Sequence, residues 1–182
     1  MDHLPAETWM RWLTSPDDVS DDLCRQLLVC WRDVVNTGGA VGFPTAPVTD
    51  DDVRPAVEAV VASLGPGTGR LLLVTVDGDL AGWLVLVGNA DPLTAHWATV
   101  KRVQTSPRHR GRGIGRVLMT EVARAAREDV GLDSLHLDVR SGLGLEEFYR
   151  PFGWTEVGRW PAALQLAGTD RRDQVLMFLS LR

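Results

Sequence analysis

The chain has 182 residues, 45% hydrophobic and 24% charged, which is the length and apolar content of one folded domain and excludes a disordered segment. No apolar run approaches the roughly 20 residues that cross a bilayer, and the acidic start Met1-Asp2-His3-Leu4-Pro5 lacks the basic-then-apolar order of a secretion signal. The net charge of −5 is uneven: positions 1–69 carry four arginines against eleven acids, while 101–127 carry eight Lys/Arg against one acid, a confined basic centre that suits a compact polyanion and not the broad basic face of a nucleic-acid binder.

In chain order, Thr8 to Thr14, with Trp9 and Trp12, is predicted as a first strand. Ser15-Pro16-Asp17-Asp18 then predicts a helix start, with an N-cap hydroxyl, proline in the first turn and acids at the positive end of the dipole. Leu23, Leu27, Cys30, Trp31 and Val34 continue that helix at three-four spacing to a stop at Gly38-Gly39. Cys24 and Cys30 are the only cysteines; six residues apart on one helix they point in different directions and read as unpaired, as expected of a cytoplasmic protein. Thr49 with Asp50 to Asp52 starts a second helix through Val53, Val57, Val60 and Leu64, which ends at Gly65-Pro66-Gly67. Leu71 to Val76 and Leu80 to Val87, joined by Asp77-Gly78, predict a hairpin, and His96 to Thr105 a further extended run. The remaining expectations are a helix from Ile114 to Glu128 closed by Gly131, a strand Leu135 to Arg140, a short helix Leu145 to Arg150, and strands Thr155 to Trp160 and Val175 to Leu181. With no repeats or linker-like stretches, residues 1–182 read as a single α/β domain.

The segment Arg110-Gly111-Arg112-Gly113-Ile114-Gly115 follows a strand and opens a helix. There the first-turn N–H groups lack intrahelical acceptors, the helix dipole adds partial positive charge, and glycines let a phosphate approach the backbone. Arg110, Arg112 and Arg116 add charge and forked donors. A dinucleotide fingerprint would need glycine where Arg116 stands, and the Gly-Lys-Ser/Thr ending of a P-loop is absent. No His/Cys set has metal-ligand spacing, and no Gly-x-Ser-x-Gly elbow occurs, so no metal is expected. His109, beside the arginines, reads as a solvated loop residue.

Val103-Gln104-Thr105 followed by Ser106 through Gly115 resembles the acetyl-CoA motif of the GNAT superfamily of N-acetyltransferases, in which Arg/Gln-x-x-Gly-x-Gly/Ala follows the fourth strand. Phe148-Tyr149-Arg150-Pro151-Phe152-Gly153-Trp154 resembles that family's Tyr-x-x-x-Gly-Phe landmark, and the order of elements matches over nearly the whole chain. A closer similarity, to the tabtoxin-resistance-type acetyltransferases, rests on Gly38 to Phe43, His136-Leu137-Asp138 and Phe148-Tyr149 and carries no substrate assignment. The resemblance implies an α+β fold with a mixed, mostly antiparallel sheet of about seven strands flanked by about four helices. It also implies that the strand ending at Thr105 splays from its neighbour, with pantetheine in the gap bonded by backbone groups of Val103 and Thr105.

Acetyl transfer to an amine needs a held donor, an uncharged nucleophile, groups that stabilise the oxyanion, and a proton for the departing thiolate. Tyr149, the only tyrosine, reads alone as a core aromatic; beside the glycine segment and Gly153-Trp154 in register it reads as the general acid, protonated at neutral pH. His136 and Asp138 alternate on one strand face. The tabtoxin-resistance resemblance makes Asp138 a base, although it suits equally an orienting or cation-binding role, and His136 reads as either a packed or a substrate-binding residue. That group's second acid would fall at Thr99, which accepts no proton, and the asparagine frequent in the family before the short helix is here Gly142. Phe43 is expected to wall the acceptor pocket. The expected activity is transfer of acetyl from acetyl-CoA to a small-molecule amine. A protein N-terminal or lysine acetyltransferase and a non-catalytic acyl-CoA sensor are the alternatives. No membrane or nucleic-acid partner is expected, and the exposed strand edge leaves a homodimer open.

Overall fold

A computed structural model describes residues 7–39 and 41–182; the expectation for the Met1 to Pro5 start, and Ala40 within the Gly38 to Phe43 segment, lie outside the described residues. Seven strands form one sheet in the order β1-β2-β3-β4-β5-β7-β6. They are β1 (Thr8–Leu13), β2 (Gly69–Val76), β3 (Asp79–Gly88), β4 (Trp97–Thr105), β5 (Ser134–Arg140), β6 (Thr155–Gln165) and β7 (Arg171–Ser180). Four helices cover it: α1 (Asp21–Asn36), α2 (Asp50–Ala62), α3 (Ile114–Ala125) and α4 (Leu145–Tyr149). β4 and β5 run parallel and every other neighbouring pair runs antiparallel, as the family resemblance implies.

Two layers of core separate the helices by face. Leu72, Val74, Leu84 and Val100 pack with Leu118 and Val122 of α3 on one side; Leu71, Leu73, Trp83 and Val85 pack with Leu27, Trp31 and Val57 of α1 and α2 on the other. β2 and β3 are buried on both faces, which is why their sequences are near-continuous aliphatic runs. Their turn has both central residues left-handed, Asp77 at φ 53° and Gly78 at φ 85°, the geometry that an Asp-Gly pair favours.

The helix expected from Ser15 divides in two. Ser15 caps a single 3-10 turn, Pro16–Asp18, by a reciprocal box with Asp18, and Val19 and Ser20 are then extended. Ser20 caps α1 anew, its hydroxyl accepting from the Leu23 N–H at 3.2 Å. Two N-cap residues five apart each start a helical turn, and the acids after each complement separate dipoles. α2 begins as expected, with Thr49 and Asp52 in a capping box. The helix after the glycine segment keeps α geometry only to Ala125 and continues as a π-turn, Ala126–Val130, before Gly131 closes it at φ 79°.

The last two strands are longer than their hydrophobic patterns indicate. β6 is exposed along almost its whole length, so no alternation marks it. A bulge falls between Trp160 and Leu164, where Ala162 adopts φ 52° and its N–H donates to Asp173 Oδ1 at 3.0 Å. Beyond the bulge, β6 carries on to Gln165 and turns back through Gly168 into β7.

Candidate functional site

β4 and β5 pair over only three positions, Trp97↔Ser134, Ala98↔Leu135 and Thr99↔His136. Past them β4 follows β3 instead, through a bulge at which Arg102 takes φ 56° and the register with β3 shifts. The strands therefore part, and among the described residues the β4 peptide groups facing β5 have no sheet partner after Thr99. A cleft of about 710 Å³ opens there. Val103, Gln104 and Thr105 form one wall, Asp138 and Arg140 of β5 another, with Tyr149 of α4 lining it as well. The loop after α1 contributes Gly42 and Phe43, and the β6–β7 hairpin adds Leu164 and Gln165. The hairpin residues carry no signal in the sequence, because an exposed strand that closes a cleft has neither periodicity nor an apolar run.

At one end of the cleft lies the glycine segment. Gly111 and Gly113 sit at φ 75° and 77°, where glycine alone is unstrained, and Gly113 is the N-cap of α3 with no side chain capping the first turn. Ile114 is 1% exposed and anchors this turn: a Cβ on Gly82 would stand 2.7 Å from Ile114 Cγ2 and 2.9 Å from the Gln104 carbonyl oxygen. A Cβ on Gly115 would stand 2.9 Å from Phe148 Cζ, so this glycine lets α4 close on α3. Arg110 reaches back to donate to Thr37 Oγ1 at 3.1 Å and also lines the cleft. Arg116 lies 6.0 Å over the Phe152 ring. Among the described residues no carboxylate pairs with Arg108, Arg110, Arg112 or Arg116, so four guanidinium groups stand unneutralised around an uncapped helix start. Contrary to the expectation of a solvated residue, His109 is buried: the 3-10 turn Pro107–His109 folds against α1.

Gln104 is 1% exposed, and neither its Oε1 nor its Nε2 has a partner among the described residues. An orphaned amide on a cleft wall, unpaired peptide groups on β4, and open N–H groups with free cations at α3 together fit an elongated ligand with a peptide-like arm and a polyanionic end, as acetyl-CoA is.

Tyr149 is 6% exposed, its ring edge-on to Phe148 at 4.9 Å and to Trp154 at 6.0 Å. No hydrogen bond among the described residues holds its hydroxyl. Burial, with the Asp138 charge adding to it, pushes the Tyr149 hydroxyl well above the ordinary phenol value. Asp138 itself is exposed on the cleft side of β5. Phe43 packs edge-on to Trp31 at 5.8 Å, and its carbonyl accepts from Arg140 Nη2 at 2.8 Å, which ties the loop after α1 to β5.

His136 does not line the cleft. Its ring stacks on Trp97 at 4.4 Å and meets the Phe178 edge at 5.5 Å, because the paired stretch of β4 and β5 holds the three together. Thr99, the place of the missing second acid, lies in the same paired stretch. Burial, then the nearby His96, holds the His136 imidazole below its ordinary 6.5. The unfolded chain therefore binds this proton more readily than the fold does. The stabilisation is full above pH 6.5 and is lost as pH falls through the depressed folded value. We expect the urea midpoint to drop between about pH 7.5 and about pH 5.5, and to drop less in His136→Phe, which keeps the ring stack. Equal slopes in the two proteins would rule His136 out as the source.

Arg140 and Arg102 are among the cleft residues that the sequence analysis does not single out. Arg140 continues the His136-Asp138 alternation by one more step and was legible by period two; Arg102 sits in a bulge that nothing in the sequence announces.

A model of the acetyltransferase (GNAT) family matches residues 13–154. Mycothiol acetyltransferase of Nocardia farcinica (strain IFM 10152) is 33% identical over 121 residues, 66% of this chain and 33% of its own length. Streptothricin acetyltransferase of Streptomyces lavendulae is 34% identical over 112 residues, 59% of this chain and 54% of its own length. The chain thus spans a third to about half of these curated relatives. Among solved structures, yncA of Salmonella typhimurium with its cofactor acetyl-CoA superposes at a TM-score of 0.72 and 18% identity, over 97% of this chain and 95% of that one. Ribosomal-protein-alanine N-acetyltransferase of Brucella melitensis superposes at 0.71 and 20% identity, over 94% and 99%. At such identities the superpositions speak for the fold alone.

Proposed function

The chain belongs to the acetyltransferase (GNAT) family, and from that premise we propose that it moves an acetyl group from acetyl-CoA to a primary amine of a small molecule by direct attack. The observation that carries the reading is the parting of β4 from β5 directly above the uncapped, arginine-rich start of α3. In this reading the backbone of Val103 and Thr105 holds the pantetheine arm as a missing strand would. The first-turn N–H groups of α3 at Gly113, Ile114 and Gly115, with Gly111 leaving room and Arg110, Arg112 and Arg116 supplying charge, hold the pyrophosphate. When bound, acetyl-CoA supplies a thioester carbonyl open to an amine.

In this reading Tyr149, which lines the cleft, would meet the departing sulfur with its proton in place. A thiolate, whose parent thiol titrates near roughly 8.5 by analogy with cysteine, is a weaker base than a phenolate pushed above its ordinary value. The hydroxyl therefore stabilises the thiolate chiefly by donating a hydrogen bond. Asp138 lies close enough to act electrostatically on both Tyr149 and Arg102. It is placed to hold the incoming ammonium and to accept its proton or pass it to water. Phe43 walls the acceptor side. His136 has a positioning role, fixing β5 against Trp97 so that Asp138 faces the cleft.

A small-molecule acceptor is favoured because the β6–β7 hairpin walls the cleft, and about 710 Å³ is the size of small-ligand pockets, roughly 300–1,000 Å³. Two curated relatives are named for small molecules, mycothiol and streptothricin. The test is thiol release from acetyl-CoA across a panel of amines. Release with a small amine is the expected result. Tight acetyl-CoA binding without release on any amine, peptide termini included, would make the protein a sensor, and neither binding nor release would reject the reading.

A further inference from the structure

Cations outnumber acids on the cleft walls outside the glycine segment. Lys101, Arg102 and Arg140 line the cleft against one carboxylate, Asp138. None of the three forms an ion pair within 4.0 Å among the described residues. Elsewhere in the chain Arg32, Arg124, Arg159 and Arg172 are each met by carboxylates, a neutralisation that the cleft arginines lack.

Arg140 is half-buried, and Arg102, although exposed, is pinned against the protein. Arg140 gives Nη2 to the Phe43 carbonyl, but its Nε is buried with no acceptor. Arg102 lies 5.2 Å over the Trp31 ring, and its Nη1 occupies the space of a Cβ on Gly42, which only glycine leaves free. Desolvation where the guanidinium groups meet the protein lowers the pKa of both, though arginine stays charged under all ordinary conditions. A half-buried cation with a vacant buried donor, as Arg140 is, costs free energy that an anion fitted to the fork would offset, and the exposed Arg102 adds charge and unpaired donors to the same cleft. Gln174, directly across the ladder from Arg140, adds an amide on the same wall.

We propose that the acceptor is an amine that also carries an anionic group, a carboxylate or a phosphorus oxyanion, a few bonds away. Arg102 and Arg140 take the anion while Asp138 takes the ammonium. Asp138 and Arg140 lie two residues apart on one face of β5, about 7 Å along the strand, which sets the spacing of the two groups. This proposal rests on the acetyl-transfer reading and specifies the acceptor for it.

The experiment pairs each L-α-amino acid, β-alanine and aminomethylphosphonate with its amide or neutral isostere. It measures KM and kcat by thiol release, and binding of the same pairs by ligand-observed NMR. The amides of α-amino acids have the larger fraction of uncharged amine at neutral pH, so a lower KM or Kd for the acids points to recognition of the anion. The acid of at least one pair is expected to show a KM or Kd at least about tenfold lower than its neutral partner. Arg102→Gln and Arg140→Gln are each expected to shrink that ratio toward one with acetyl-CoA affinity unchanged. A panel in which no acid outperforms its neutral partner, or a preference that survives both substitutions, overturns the proposal. Turnover of neutral amines alone would do so while leaving acetyl transfer intact. If acetyl-CoA neither binds nor reacts, the transfer reading fails, and the NMR ratios still decide whether an anion is recognised.

Discussion

Replacing Tyr149 with phenylalanine is expected to lower kcat by roughly 10² to 10⁴, with KM for acetyl-CoA little changed, where chemistry limits turnover. Phenylalanine keeps the ring among Phe148 and Trp154 and removes only the hydroxyl, so the fold is a poor explanation for any loss. The hydroxyl has no partner among the described residues and faces a cleft, so removing it leaves no protein group unsatisfied. The effect on rate is then the loss of a donor to the leaving sulfur. Single-turnover measurement separates this from product release. A variant with wild-type turnover under those conditions would exclude the general-acid role.

The second large effect is on the donor half. Gly113→Val is expected to weaken acetyl-CoA binding by about tenfold or more, since a β-branched residue at φ 77° is strained and its methyls stand where a phosphate would meet the helix N–H groups. Arg112→Ala, which removes an exposed charge, is expected to weaken it as well and to flatten its salt dependence. Calorimetric titration against the cofactor reads both, and circular dichroism checks that Gly113→Val remains folded. Unchanged affinity in both variants would move the phosphates away from this segment.

The donor half of the site is the part that residue order reveals, because its chemistry is local. Six consecutive positions, Arg110 to Gly115, make a helix start that no side chain caps, and the glycines that allow it are visible without knowing the fold. The same holds for the Asp77-Gly78 hairpin, the Thr49 capping box and the closing Gly131, each set by φ preference or a hydroxyl within three residues. Where two local signals compete, as at Ser15 and Ser20, sequence alone does not say that both are used.

The acceptor half was legible only in fragments. His136 and Asp138 share a strand face by period two, yet the splay of β4 from β5 falls between their positions: His136 packs in the paired stretch and Asp138 faces the cleft. His109, set among arginines, is buried because a 3-10 turn folds it against α1.

By itself, then, the sequence determined the family, the order of strands and helices and the segment that would hold a pyrophosphate, since these rest on periodicity, capping and glycine within short windows. Only the tertiary structure decided what the acceptor meets. Arg102 on a β4 bulge, Arg140 on β5, the Phe43 carbonyl after α1 and the exposed β6–β7 hairpin are 20 or more positions apart and share no pattern. They meet because two parallel strands run out of pairing after three residues, and the space they leave is lined by whatever the neighbouring elements place there.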